Sequence, residues 1–202
     1  MRIVTANEWQ QWLAQGKVLE KDIRGPKVLR LDDGRILKIF RPRRKLWLAR
    51  LLPQARRFAR NAAELAARGF AVPQPDECLW VERARAVCAC LYPPLPGESL
   101  AQIWERSPAE FAALLPDFAA FIHQLHQRGV YFRSLHLGNV LRLPAGGFGL
   151  IDFLDTRFRR GPLGRQLVQR NLQHLHGYLQ RSGTRDFPWQ QLLEEYQRAA
   201  AN

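Results

Sequence analysis

Cysteine is scarce in this chain: 202 residues carry three thiols, Cys78, Cys88 and Cys90. An odd count without metal-ligand spacing argues against a disulfide framework and against a zinc site, and fits reduced thiols. Cys88 and Cys90 are two apart in a strand-like run and share one face. Long hydrophobic runs are missing as well. No stretch approaches the ~18–20 apolar residues that a membrane-spanning helix needs. The opening MRIVTANEWQ has no apolar core of a secretory leader. Neither internal repeats nor low-complexity segments occur. Acids are the third shortage: 18 Asp plus Glu stand against 31 Lys plus Arg, a formal net charge of +13. Of those 31 cations 26 are Arg. The imbalance favours phosphate-rich partners, because a guanidinium fork binds phosphate oxygens in pairs. A solvated basic surface is the competing reading for many of these residues.

What is present is concentrated between Gly129 and Asp155. A tight loop, Arg133-Ser134-Leu135-His136-Leu137-Gly138-Asn139, leads into a hairpin of Val140 to Leu143 and Phe148 to Ile151, turned by Pro144-Ala145-Gly146-Gly147. Short apolar runs bounded by Gly and Pro read as strands. A hairpin brings its outer ends together, so Asn139 and Asp152 are expected side by side. An amide oxygen and a carboxylate held together make a hard-oxygen site for Mg²⁺, completed by waters or phosphate oxygens.

The remainder reads as an α+β chain. Thr5-Ala6-Asn7-Glu8 is a capping box that opens a helix, and Gly16 closes it. Lys17 to Phe40 holds three strands, with a hairpin at Asp33-Gly34. The turn Lys21 to Pro26 holds one glycine, Gly25, so a G-x-G-x-x-G loop is absent; Arg24 or Lys27 supplies charge in its place. Arg41-Pro42-Arg43-Arg44-Lys45 precedes a helix with Trp47, Leu48, Leu51 and Leu52, broken at Pro53. A second helical segment runs from Gln54 to Arg68. Two further strands, Cys78 to Glu82 and Ala86 to Tyr92, complete an expected five-stranded antiparallel sheet in residues 1–92. Pro93-Pro94-Leu95-Pro96-Gly97 marks a boundary. Residues 93–202 are expected to be mainly helical. Ser107-Pro108-Ala109-Glu110 starts a long apolar helix in which His123 and His126 form a helix-face pair. Leu163 to Leu179 and a segment from Asp186 onward give the last two helices.

Loop, Asn, hairpin and Asp-Phe together resemble the catalytic loop and metal-binding Asp of the protein-kinase-like superfamily. SLHLGNVL is similar to the loop of small-molecule and sugar kinases. LKIFRPRR resembles the lipopolysaccharide kinase group (Kdo/WaaP and InaA-like). The resemblance implies a two-lobed fold with a small antiparallel-sheet lobe and a helical lobe. It implies ATP and Mg²⁺ as cofactors, Lys38 on the nucleotide phosphates, Asn139 and Asp152 on the metal, and a helical acid pairing with Lys38. Glu64 is the only acid of that helix, although Asn61 lies nearer the family spacing. Gly25 marks the phosphate-covering loop. Ser134 stands where the family carries its catalytic Asp, and Phe132 replaces the preceding His. A serine hydroxyl is no general base near neutrality. His136 corresponds to the second His of the loop and orients the loop or the acceptor. Asp155 is the substitute base, or else a turn cap. Arg133 braces the loop against Asp152 or Asp155.

Two functions follow from this resemblance. One is an ATP-dependent phosphotransferase acting on a sugar hydroxyl of a glycolipid or another small non-protein acceptor, since the segment after Asp155 is too short to dock a polypeptide. The other is a pseudokinase that binds nucleotide or a partner without transfer. A basic domain for anionic surfaces is the third alternative. Arg41, Arg43, Arg44 and Lys45 either dock an anionic membrane surface or form a solvated face. No nucleic-acid module is recognisable. The expected location is the cytoplasm, at the inner face of the cytoplasmic membrane.

Overall fold

The computed structural model describes residues 1–42, 45–184 and 186–201. They divide into two compact units, Met1–Ala67 with Val72–Leu95, and Arg68–Ala71 with Pro96–Asn202. Arg43 and Arg44 of the basic cluster lie outside the described residues.

The first unit contains β1 (Arg2–Ile3), α1 (Ala6–Gln15), β2 (Lys17–Asp22), β3 (Gly25–Arg30), β4 (Ile36–Phe40), α2 (Leu46–Leu51), α3 (Gln54–Ala67), β5 (Glu77–Glu82) and β6 (Val87–Tyr92). The sheet has six strands, in the order β1-β5-β6-β4-β3-β2, where five were expected. The addition is β1, which runs parallel to β5. Two residues carry no alternation to read. Arg2 fixes them by binding Glu8 on α1 at 2.6 Å and Glu77 on β5 at 2.7 Å.

Alternation along β4 sorts the two faces of the sheet. Leu37 and Ile39 join Leu29, Leu79 and Leu91 in a core covered by Trp9, Trp12 and Leu13 of α1. The opposite face meets α3, where Phe58 packs between Phe40 and Tyr92 at centroid distances of 5.5 and 5.7 Å. Thr5 caps α1 by accepting from the Glu8 amide at 3.2 Å. The Glu8 carboxylate turns to Arg2 instead of closing the box.

The second unit contains β7 (Glu98–Ser99), α4 (Leu100–Arg106), α5 (Pro108–Gln127), β8 (Val130–Phe132), β9 (Val140–Arg142), β10 (Phe148–Leu150), β11 (Thr156–Phe158), α6 (Arg165–Arg181) and α7 (Trp189–Ala201). A three-stranded sheet has the order β10-β9-β7, and β8 pairs with β11. The strand β7 precedes α4, where the sequence suggested only a helix start. Ser99 nevertheless forms a full capping box with Gln102. Gly129 joins α5 to β8 at φ +70, and a Cβ there would lie 2.5 Å from the Gly161 carbonyl. Only glycine fits that turn.

Three helices are tied to the end of β8 by a buried polar chain. Asn171 of α6 donates from Nδ2 to the Phe132 carbonyl at 2.8 Å. Its Oδ1 then accepts from His126 Nε2 at 3.1 Å. That leaves His126 Nδ1 as the acceptor for the Tyr196 hydroxyl of α7, at 2.8 Å. His126 and Asn171 are 1% and 0% exposed. The pair expected on a helix face is thus split, with His126 a buried linker. Burial lowers the His126 pKa to about 4 and pushes Tyr196 up to about 12.

This generates a pH dependence with a definite sign. Below pH ~6.5 the unfolded chain protonates this histidine while the folded chain holds it neutral, so stability falls as pH drops towards 4. The loss attributable to His126 is about 3 kcal/mol. Urea unfolding at pH 7, 5 and 4 should show a shallower decline for His126→Gln than for the natural chain. Parallel declines would refute this origin.

Candidate active site

Asn139 and Asp152 are positioned by the hairpin register. Val140 opposes Leu150 and Leu141 opposes Gly149. One step outward, the Ile151 amide donates to the Asn139 carbonyl at 3.0 Å. Asp152 follows immediately, with φ +54. Aspartate tolerates this left-handed region better than most residues, and the bend turns the chain out of the hairpin.

Asn139 is buried, and its Nδ2 donates to the Ser134 carbonyl at 3.0 Å. The amide nitrogen is therefore committed to the loop, and the oxygen is the atom the side chain can offer. Among the described residues no group of three or more His, Cys, Asp or Glu is arranged to hold a metal ion. An amide oxygen plus one carboxylate is a sparse donor set. It fits Mg²⁺, which keeps most of its oxygen ligands as water or substrate phosphate, and does not fit a metal that needs a full protein cage.

The second ladder brings in the remaining loop residues. Phe132 pairs with Thr156. Ser134 lies two residues after Phe132 and Asp155 one residue before Thr156, so both fall at the same end of this ladder. Asp155 is exposed, in a turn closed by Thr156 N–H to the Phe153 carbonyl at 3.2 Å. Arg133 is exposed as well.

His136 stacks on Tyr178 of α6, with centroids 4.1 Å apart and rings 13° from parallel. Its Nδ1 is buried and has no hydrogen-bond partner. Burial lowers its pKa, and the nearby Asp152 charge pulls weakly the other way. The imidazole is neutral near pH 7, with one ring nitrogen still to satisfy.

In the first unit, Lys38 sits mid-strand on β4 and is half-buried. Its Nζ lies 5.8 Å from the Phe58 centroid on α3. Asn61, buried, and Glu64, half-buried, lie three and six residues further along that helix. Gly25 opens β3 at φ +106, after a two-residue loop of Ile23 and Arg24. The Asp22 carboxylate accepts from the Arg24 amide at 2.8 Å, and Lys27 pairs with Glu20. This hairpin turn is tight and not rich in glycine. Lys45, which follows the undescribed Arg43 and Arg44, is exposed at the N-terminus of α2.

Sequence reasoning missed Tyr178 and Asn171. Asn171 carried a signal, since it shares the inward face of α6 with Leu175 and Leu179. A polar residue in such a stripe needs a buried partner. Tyr178 carried none.

The chain matches the phosphotransferase enzyme family (APH) over residues 15–134. It matches the lipopolysaccharide kinase (Kdo/WaaP) family over residues 96–196. The first match includes Lys38, the second includes Asn139 and Asp152, and both include the loop as far as Ser134. No curated protein matches the chain. The two family matches, each covering half of the chain or more, and the α+β architecture lead to one assignment: the chain belongs to the protein-kinase-like superfamily, in the group that comprises the APH phosphotransferases and the Kdo/WaaP lipopolysaccharide kinases.

Proposed function

We propose that this protein is an ATP- and Mg²⁺-dependent phosphotransferase acting on a sugar hydroxyl of a glycolipid or similar small acceptor. The observation that supports the reading is the hairpin register, which pairs the backbone of Asn139 with Ile151, the residue before Asp152, while the Asn139 side chain donates to the Ser134 carbonyl. ATP supplies the transferred phosphoryl group and Mg²⁺ neutralises its charge. Lys38 binds the nucleotide phosphates, and Glu64 on α3 orients it. Asn139 and Asp152 hold the metal. His136, neutral and backed by Tyr178, orients the loop or the acceptor. Asp155 takes the hydroxyl proton in place of the side chain that Ser134 lacks. Phosphoryl transfer depends mainly on positioning and charge neutralisation, so the missing loop carboxylate slows the reaction without abolishing it.

Transfer of labelled phosphate from ATP to core oligosaccharide tests this. Asp152→Ala and Lys38→Ala should each cost roughly 10²-fold or more, the scale of losing a transition-state charge contact. Ser134→Asp should raise the rate, and Asp155→Asn should lower it by roughly 10²-fold, the scale of a general base. A Mg·ATP thermal shift without turnover would establish the pseudokinase alternative that Ser134 motivates. No shift would sink both.

The second part of the reading concerns where the protein works. Among the described residues no helix is long and apolar enough to cross a membrane. On α2 and just after it, Trp47, Leu51 and Leu52 are 64, 69 and 70% exposed. Leu51 and Leu52 line an open groove of about 570 Å³ whose rim includes Lys45, Arg56, Arg57 and Arg60. Apolar side chains rimmed by cations complement an anionic bilayer surface, where rings enter the headgroup layer and guanidinium groups meet phosphates. This supports a location in the cytoplasm, against the inner face of the membrane that carries a glycolipid acceptor. Vesicles containing phosphatidylglycerol should sediment the protein, and phosphatidylcholine vesicles should not. Replacing Trp47, Leu51 and Leu52 by Ser should weaken binding by at least about tenfold, and salt should weaken it further. Equal binding to both vesicles, or preference for RNA, would refute the membrane assignment.

A further inference from the structure

One transverse row crosses the first unit's sheet. Val28 pairs with Lys38, Lys38 with Cys90, and Cys90 with Cys78. All four are on the face that meets α3. The last two members are thiols, with sulfurs 3.6 Å apart. Directly opposed residues of antiparallel strands have Cα atoms ~4.5–5.5 Å apart, inside the ~4.4–6.8 Å range that a disulfide spans. Closing the bond therefore needs side-chain rotation and no rearrangement of the strands.

The two thiols differ in the way such a reaction requires. Cys78 is half-buried and Cys90 fully buried. The hydrogen bond between them lowers the Cys78 pKa, while the same bond and burial raise that of Cys90. The accessible sulfur is thus the better thiolate, and the buried one waits behind it. Both sulfurs lie within hydrogen-bond reach of the Ala55 carbonyl in the first turn of α3, at 3.5 and 3.3 Å. Cys88, two residues away, accepts from the Ala55 amide at 3.4 Å and is pushed up to about 11 by burial. It serves as the unreactive control.

We propose that Cys78 and Cys90 are a redox pair that forms a reversible cross-strand disulfide beside Lys38, with a peroxide as oxidant. The Cys78 thiolate attacks a peroxide oxygen and the O–O bond breaks. Hydroxide leaves and is protonated to water, and Cys78 becomes a sulfenic acid. The Cys90 sulfur then attacks the Cys78 sulfur. The S–O bond breaks, and the hydroxyl departs with the Cys90 proton as a second water. Two thiols lose two electrons and the peroxide gains them. A dithiol reductant reverses the change by exchange. Oxidation removes the S–H protons that link the two sulfurs to each other and to the Ala55 carbonyl, and cross-links β5 to the strand beside β4. The effect on nucleotide binding rests on the role proposed for Lys38. The disulfide itself does not.

The test treats the reduced, purified full chain with hydrogen peroxide, alkylates the remaining thiols, and maps the digest by mass spectrometry. The expected result is loss of two thiols, a peptide joining Cys78 to Cys90, and full reversal by dithiothreitol. Cys88→Ser should behave identically, whereas Cys78→Ser and Cys90→Ser should form no intramolecular link. Absence of the link, a link through Cys88, a link only between two chains, or irreversible sulfinic acid would each overturn the proposal. The Mg·ATP thermal shift should differ between oxidised and reduced protein, and equal shifts would overturn the coupling to Lys38. If the reduced protein shows no shift at all, the nucleotide reading fails, and the peptide map still decides the disulfide.

Discussion

Everything proposed for the second unit depends on one backbone hydrogen bond, from the Ile151 amide to the Asn139 carbonyl at 3.0 Å. It extends the β9–β10 register by one step and brings the backbone of Asn139 beside Ile151, the residue before Asp152. A one-residue slip of that hairpin would turn the side chains of the slipped strand to the opposite face. The register is held from several directions. β7 pairs along the other edge of β9. The Leu150 amide donates to the Ala71 carbonyl at 2.9 Å. Val140, Phe148 and Leu150 are all buried. The loop before the hairpin is held in turn by Asn171 and by the Asn139 side chain.

The hairpin between Asn139 and Asp152 was legible because it is local. The glycines at 146 and 147, both at positive φ, define the turn, and pairing outward from it needs no distant information. The alternation of Ile36 to Phe40 and the caps at Thr5 and Ser107 were legible for the same reason. Long-range partners were not. Arg2 meets Glu77 across 75 residues, and His126 meets Tyr196 across 70. Nothing in either segment announces the other. Two-residue strands such as β1 and β7 have no period. In the sequence Cys88 and Cys90 are legible only as two residues of one strand sharing a face. The opposition of Cys78 to Cys90 came only from the pairing of β5 with β6.

Electrostatics is distributed unevenly over these elements. Many of the Arg make ordinary exposed pairs, such as Arg35 with Asp33, Arg106 with Glu110 and Arg198 with Glu195. Such pairs add little to stability. Around α2, Lys45, Arg56, Arg57 and Arg60 line a groove together with the exposed Leu51 and Leu52. A high isoelectric point is thus partly a solvated coat and partly a localised feature of one short helix and its flanks.

The path of the chain through residues 68–71 bears on how this protein can be taken apart. Arg68 donates to the Arg128 carbonyl, and Arg128 donates back to the Arg68 carbonyl at 2.6 Å. The four residues belong with the second unit, although the sequence on either side of them belongs with the first. A gene fragment stopping at the proline-rich linker would carry this segment away from every partner just described, and the complementary fragment would lack it. A cut at that linker therefore leaves each fragment differing by four residues from its own compact unit.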